Sequence, residues 1–279
     1  MVDGRLYVVS TPIGNLADLT FRAVDVLKTV DRILCEDTRH TRILLDHYAI
    51  RTPTSAYHEH NEAKAAPGIV AELVKGATLA IVSDAGTPIL SDPGARLVRA
   101  AIAAGVPVEP VPGASALLAA IVAAGLDADR FTFYGFLPRK GTERRSLIGR
   151  IATAEHLTIL YEAPGRVAAT LAEIGGKRQT VVARELTKQF EELRRGTVEE
   201  LAAYYEEHPP RGEVVVLIEG GVASPPDETV VRERARALRA HGVPLREIAK
   251  MLTAEYDVPR NTAYRLAHEG QEEHKEEDA

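Results

Sequence analysis

The chain has 279 residues, 45% hydrophobic and 27% charged; at roughly 150 residues per domain, that predicts two domains with real cores. A single cysteine, Cys35, cannot form an intrachain disulfide or a Cys/His zinc cluster, so stapled miniproteins are excluded, as are collagens and wholly disordered chains. The net charge of −6 argues at first sight against a nucleic-acid partner.

Met1-Val2-Asp3-Gly4-Arg5 carries no apolar signal core and leads directly into a domain. Leu6-Tyr7-Val8-Val9 reads as a strand, and Thr20 as the N-cap of a helix carrying Phe21, Val24 and Leu27. Arg32-Ile33-Leu34-Cys35 and the wholly apolar Leu79-Ala80-Ile81-Val82 are further strands; the second reads as covered on both faces. A helix over 95–104 ends at Gly105, Val106-Pro107-Val108 enters a strand, and a small-residue helix spans 114–124. A second series of strands follows at 131–134, 157–161, 180–183 and 214–218, separated by helical patterns. Such alternation predicts α/β sheets with helices on their faces.

Gly125-Leu126-Asp127 is the predicted boundary between two α/β domains, 1–125 and 126–222. A linker at 223–229 and a helical, helix-turn-helix-like domain at 230–270 complete the expected organisation, with an acidic tail at 271–279. The longest charge-free run, 110–126, is 17 residues long and interrupted by Pro112 and Gly113. That is no membrane span. A cytoplasmic protein in a reducing compartment is expected.

Charge is unevenly distributed. The tail holds five acids and one lysine, whereas residues 139–150 hold five bases and one acid, and 230–270 hold eight bases and five acids. Local stripes of this kind, rather than the total, set the potential for binding phosphate.

Two loops carry the chemistry. Residues 83–94, Ser-Asp-Ala-Gly-Thr-Pro-Ile-Leu-Ser-Asp-Pro-Gly, follow an apolar strand and contain no Lys or Arg. A stiff loop exposing backbone amides and carbonyls suits an uncharged or zwitterionic cofactor better than a triphosphate. Val111-Pro112-Gly113-Ala114-Ser115-Ala116 is a second tight turn into a helix, and Gly14 permits close backbone approach after the first strand. Neither G-x-G-x-x-G nor a Walker A sequence occurs, nor does a nucleophile elbow. His58, His60 and Glu62 share a face if extended, but a polar strand end explains them better than a metal site, and none is expected. Cys35 reads as a buried core residue.

Six motifs occur in a fixed order: Thr11-Pro12-Ile13-Gly14-Asn15-Leu16; Cys35-Glu36-Asp37-Thr38-Arg39-His40-Thr41; the 83–94 loop; Pro112-Gly113-Ala114-Ser115-Ala116; Tyr161-Glu162-Ala163-Pro164-Gly165-Arg166; and Ala183-Arg184-Glu185-Leu186-Thr187-Lys188. With them the chain resembles the ribosomal RNA small-subunit methyltransferase I family of the tetrapyrrole-methylase superfamily, from about Leu6 to Gly221. The helical segment beyond resembles that family's appended domain.

The resemblance implies a two-domain α/β fold with S-adenosylmethionine (SAM) in the cleft between the domains. It also implies a homodimer and a cytidine 2′-O-methylated in 16S ribosomal RNA near the decoding centre, with RNA or the assembled small subunit as partner. By motif, Pro12, Asp84, Ala85, Gly86, Ile89, Ser115 and Ala116 would line the cofactor pocket, and Tyr161, Ala183 and Val214 would close it. Methyl transfer needs the 2′-oxygen, methyl carbon and sulfur in line and an acceptor for the hydroxyl proton. Glu162, Glu185 and Lys188 are the candidates, Lys188 only with a depressed pKa. Arg39, Arg166 and Arg184 could clamp phosphates or a carboxylate. Arg139, Lys140, Arg144 and Arg145, read as one exposed loop, are the expected RNA contacts. A tetrapyrrole-directed methylase and a ligand-sensing nucleic-acid regulator are the competing readings.

Overall fold

The computed structural model describes residues 4–221, 228–256 and 258–269. They fall into two compact units that divide between Gly220 and Gly221.

The first unit holds two five-stranded sheets. Strands β1 (Arg5–Val9), β2 (Arg32–Cys35), β3 (Thr54–Ala56), β4 (Thr78–Val82) and β5 (Val108–Val111) pair in the order β3-β2-β4-β1-β5, all parallel. Helices α1 (Phe21–Thr29), α2 (Thr38–His47), α3 (Glu62–Val74) and α4 (Ala95–Ala103) connect them. The strands are apolar on both faces because both are covered. Val9, Ile33, Ala80 and Val82 pack with Ala23, Leu27, Leu44 and Leu45, while Leu6, Leu34, Leu79 and Ile81 pack with Ala66, Ile69, Leu73 and Leu97. The Thr20 side chain caps α1, accepting from the Ala23 amide at 3.1 Å.

Helix α5 (Ala116–Ala124) starts two residues later than its composition suggests, because Ser115 is still extended. Its Leu117, Ala120 and Ala124 pack against Ile159, Val181, Ala183 and Leu217 of the second sheet. Arg195 caps its C-terminus, donating to the Ala123 and Ala124 carbonyls.

The second sheet comprises β6 (Phe131–Phe136), β7 (Leu157–Glu162), β8 (Gln179–Arg184), β9 (Glu192–Thr197) and β10 (Val214–Ile218), in the order β6-β7-β10-β8-β9. Only β6 and β7 pair in parallel; β10 runs antiparallel between β7 and β8. Helices α6 (Thr142–Ala152), α7 (Val167–Ile174) and α8 (Val198–Glu207) cover the face opposite α5. A capping box between Thr197 and Glu200 starts α8.

The second unit has helices α9 (Glu228–Ala240), α10 (Leu245–Tyr256) and α11 (Arg260–Glu269). They share a core of Val231, Leu238, Ile248, Leu252, Val258, Ala263 and Leu266. The expected linker is shorter at its far end, since residues 228 and 229 are already helical. Its earlier part and the acidic tail lie outside the described residues. No described helix is long and apolar enough to cross a membrane.

Candidate active site

Neighbouring strands β4, β1 and β5 send three loops from their carboxyl ends to one place: 83–94, 10–16 and 112–115. Ligands of open α/β sheets bind at this end. The loops are stapled together. Thr11 and Gly86 exchange backbone hydrogen bonds at 2.8 and 3.1 Å, the Ser83 hydroxyl donates to the Gly86 carbonyl at 3.1 Å, and the Thr87 hydroxyl donates to the Ala114 carbonyl at 3.2 Å. Gly86 has φ +80°, and a Cβ there would lie 3.2 Å from the Ile13 side chain.

Opposite them, the second sheet supplies the ends of β6, β7 and β8 and, because β10 is antiparallel, the start of β10. A cavity of about 370 Å³ lies between the two rims, within the range of sites for small ligands. Asp84, Ala85, Gly86, Ser115, Ala116, Tyr161, Ala183 and Val214 all line it. Ile89 does not; with φ +79° it packs toward Gly94 and shapes the loop from behind. Pro12 lines a second, adjoining cavity of about 410 Å³ with His40, Thr41, Leu44 and Lys188. The two cavities share Ile13, Asp84, Ala85 and Glu213. Sequence reasoning missed Leu90, Asp92, Phe136, Leu186 and Glu213 as lining residues.

Among the described residues no Lys or Arg lines the first cavity. Its polar side is acidic. Burial, then the Glu36 and Asp84 carboxylates, push Asp92 up to about 6. Burial and Asp84 likewise raise Glu36. Its apolar side is Leu90, Phe136, Tyr161 and Leu186, with Tyr161 edge-on to Phe133; burial raises the Tyr161 phenol. An acidic, partly aromatic slot with exposed loop backbone accepts a cationic or zwitterionic ligand and disfavours polyphosphate.

At the shared wall lies an ion-pair triad. Lys188 Nζ donates to Glu185 Oε1 at 2.9 Å and to Glu213 Oε2 at 2.8 Å. Burial alone would lower the Lys188 pKa, but the two carboxylates outweigh it and the net shift is upward. Lys188 is therefore an ammonium, and the depressed pKa it would need to act as a base is not met. Glu185 is held below its usual range, first by the Lys188 hydrogen bond and then by the Glu213 amide. Gly14 is tied to this triad: a Cβ there would sit 2.3 Å from Lys188 Cγ. Glu185 (φ +51°) and Thr187 (φ +65°), with Ile89 and Ser91 (φ +65°), are four of the five described non-glycine residues at positive φ. Backbone strain gathers at this site.

Other expected residues do structural work. Glu162 lines the first cavity, but its buried carboxylate is already engaged: it accepts from the Ala163 amide at 2.8 Å, Arg166 Nε at 2.7 Å and the Thr170 hydroxyl at 2.7 Å. Arg166 also donates to the Leu137 carbonyl. Arg144 is not in an exposed loop but on the buried face of α6, 6% exposed. It donates to Glu173, Thr170 and the Pro138 carbonyl. Arg144, Thr170, Glu162 and Arg166 thus form one network pinning the β6–α6 connection to β7 and α7. Arg139, Lys140 and Arg145 are exposed, as expected of the stripe. Arg184 pairs with Glu192 at 3.0 Å, and Arg39, 90% exposed, pairs with Asp37.

His58 and His60 lie in the turn after β3, rings 6.0 Å apart, with the His58 amide donating to Asn61. Among the described residues no three metal-ligating side chains come together. Cys35 is buried, and burial raises its thiol pKa.

The family model for tetrapyrrole (corrin/porphyrin) methylases matches residues 5–202. A Synechocystis protein named ribosomal RNA small subunit methyltransferase I is 46% identical over 273 residues, covering 95% of this chain and 97% of its own. An Escherichia coli O157:H7 protein of the same name is 43% identical, covering 96% of each. Among solved structures, a cobalt precorrin-4 methyltransferase superposes with a TM-score of 0.60 at 18% identity, covering 79% of this chain and 96% of its own. That last likeness concerns the fold alone.

Proposed function

Because the chain belongs to the tetrapyrrole methylase family, we propose that it transfers a methyl group from S-adenosylmethionine to the 2′-oxygen of a cytidine ribose in 16S ribosomal RNA. The observation that carries the reading is the pair of cavities sharing the Asp84–Ala85 wall. One is fit for a cationic donor, and its neighbour is open to an acceptor. RNA as the acceptor class rests on relatives that share nearly the whole chain and carry that name.

The first cavity fits the cofactor by the chemistry of its lining: acids without bases, aromatic and aliphatic walls, and backbone bared by Gly86. When bound, SAM supplies an electrophilic methyl on a sulfonium. Asp84 and Asp92 favour the sulfonium over the uncharged thioether left after transfer, which promotes exchange of product. The residues from motifs in both halves hold donor and acceptor at a fixed approach, which accounts for much of the rate.

In the second cavity the Lys188 ammonium orients the 2′-hydroxyl and stabilises negative charge growing on its oxygen. Glu213, whose side chain is 71% exposed and faces both cavities, accepts the hydroxyl proton as the oxygen–carbon bond forms. Glu185 holds Lys188 in place. Exposed Arg139, Lys140 and Arg145 supply phosphate contacts.

A homodimer is part of the proposal, supported by the exposed Leu118 and Val122, one turn apart on α5. A cytoplasmic location is part of the same proposal, since its RNA substrate is found there. The reading is tested by offering methyl-labelled SAM with small-subunit RNA or particles and, separately, with a porphyrinogen. Label in RNA supports it; label in the porphyrinogen alone overturns the choice of acceptor.

A further inference from the structure

A third cavity, of about 330 Å³, lies on the far side of the β8–β10 rim from the cofactor cavity, beside α8. Tyr204 and His208 line it as part of a stack of three side chains. The Arg194 guanidinium sits 3.8 Å above the Tyr204 ring, and the His208 ring lies nearly parallel to Tyr204, 12° apart in plane with centroids at 4.5 Å. His208 is exposed and ends the stack; among the described residues no ring other than Tyr204 packs on it. The His208 imidazole is fixed by Nδ1 against the Tyr204 carbonyl at 3.0 Å. Arg184 and Arg211 frame the same cavity; Glu192 pairs with Arg184 and Arg194, while Arg211 stands exposed. Tyr205, 3% exposed, also lines it, and its hydroxyl has no hydrogen-bond partner.

The segment 209–213 joins this cavity to the site. Pro209, Pro210 and Arg211 line the third cavity, Gly212 and Glu213 the first. Arg211 and Glu213 are two residues apart, at most about 7 Å of extended chain. A nucleotide adjoining one held at Glu213 therefore lies within reach of Arg211.

We infer that this cavity is a subsite for a single-stranded RNA nucleotide flanking the acceptor, with its base stacked on the outer face of His208 and its phosphate on Arg211. An exposed ring at the end of a cation–aromatic stack is a sequence-tolerant platform for a base. The location beyond the acceptor cavity means that the target must be unpaired on that side. The inference rests on RNA being the substrate class.

The test uses the full chain and a single-stranded small-subunit RNA fragment carrying 2-aminopurine beside the target cytidine. His208→Ala is expected to weaken RNA binding by about tenfold, the size of one base–aromatic stack, and to abolish the 2-aminopurine quenching seen with wild type. His208→Phe, which keeps an aromatic ring at the end of the stack, should restore both. Arg211→Ala should lower the salt slope of RNA binding by roughly 0.7. SAM affinity and kcat at saturating RNA should stay at wild-type values for all three. Wild-type RNA affinity and quenching in His208→Ala would overturn the subsite, whatever the enzyme methylates. Affinity loss and lost quenching in His208→Ala, with no RNA methylation by wild type, would uphold the subsite and sink the acceptor assignment instead.

Discussion

Replacing Arg144 by alanine separates a structural arginine from an RNA-binding one. Its guanidinium makes two hydrogen bonds to Glu173 at 3.0 Å, one to Thr170 at 3.0 Å and one to the Pro138 carbonyl at 3.1 Å. A hydrogen bond to a charged group contributes roughly 1.5–3 kcal/mol where buried. The Glu173 side chain is 45% exposed, so water recovers most of its share after the substitution. The buried bonds to Thr170 and Pro138 and the packing of the side-chain stem remain. The expected loss is about 3 kcal/mol, which lowers Tm by roughly 6–12 °C in a unit of this size. Thermal unfolding followed by circular dichroism measures it. Arg145→Ala, one residue on but exposed, should change stability by no more than about 0.5 kcal/mol and reduce the salt slope of RNA binding by roughly 0.7–0.9. A wild-type Tm for Arg144→Ala together with weakened RNA binding would refute the assignment.

Glu213→Gln should cut kcat by about 10²-fold or more with SAM affinity unchanged; full activity would remove Glu213 as proton acceptor. Gly14→Ala should lower kcat while leaving the cofactor cavity's lining intact, because the new Cβ displaces Lys188; single-turnover kinetics beside SAM titration reads both. Asp92, ordinarily near 3.8 and pushed up to about 6, is more readily protonated folded than unfolded. Its contribution to stability is therefore fully present below about pH 4 and lost as pH rises through 6. Asp92→Asn should flatten the stability profile over that window and raise stability at pH 7. Because a cation favours the carboxylate, SAM affinity in wild type should rise from pH 5 to 7, and calorimetry should find that rise missing in Asp92→Asn.

The loops of the cofactor cavity were legible because glycine, proline and polar residues after apolar strands have few other uses. The 83–94 loop keeps Gly86 and Gly94 at positive φ. Strands β3 and β9 were not legible. β3 is three residues of Thr, Ser and Ala at a sheet edge, and β9, Glu-Leu-Arg-Arg-Gly-Thr, is an edge strand whose charges pair along it rather than alternate with apolar residues. Glu213 escaped notice because antiparallel β10 brings its start beside the end of β8, where the Glu185 amide donates to the Glu213 carbonyl. Strand direction is a tertiary outcome that composition does not encode. Arg144 did leave a signal: Arg144, Ile148 and Ile151 fall at i, i+4 and i+7, which puts the arginine on the buried stripe of α6. Counting charge along 139–150 concealed that periodicity.

Methyl transfer to a ribose oxygen of RNA is read most directly by incubating the protein with methyl-labelled SAM and either naked 16S RNA or assembled small subunits, then digesting the RNA to nucleosides. Label should elute as 2′-O-methylcytidine and be lost with Glu213→Gln. Label on a nucleobase, or none in either RNA sample while a porphyrinogen is labelled, would contradict it.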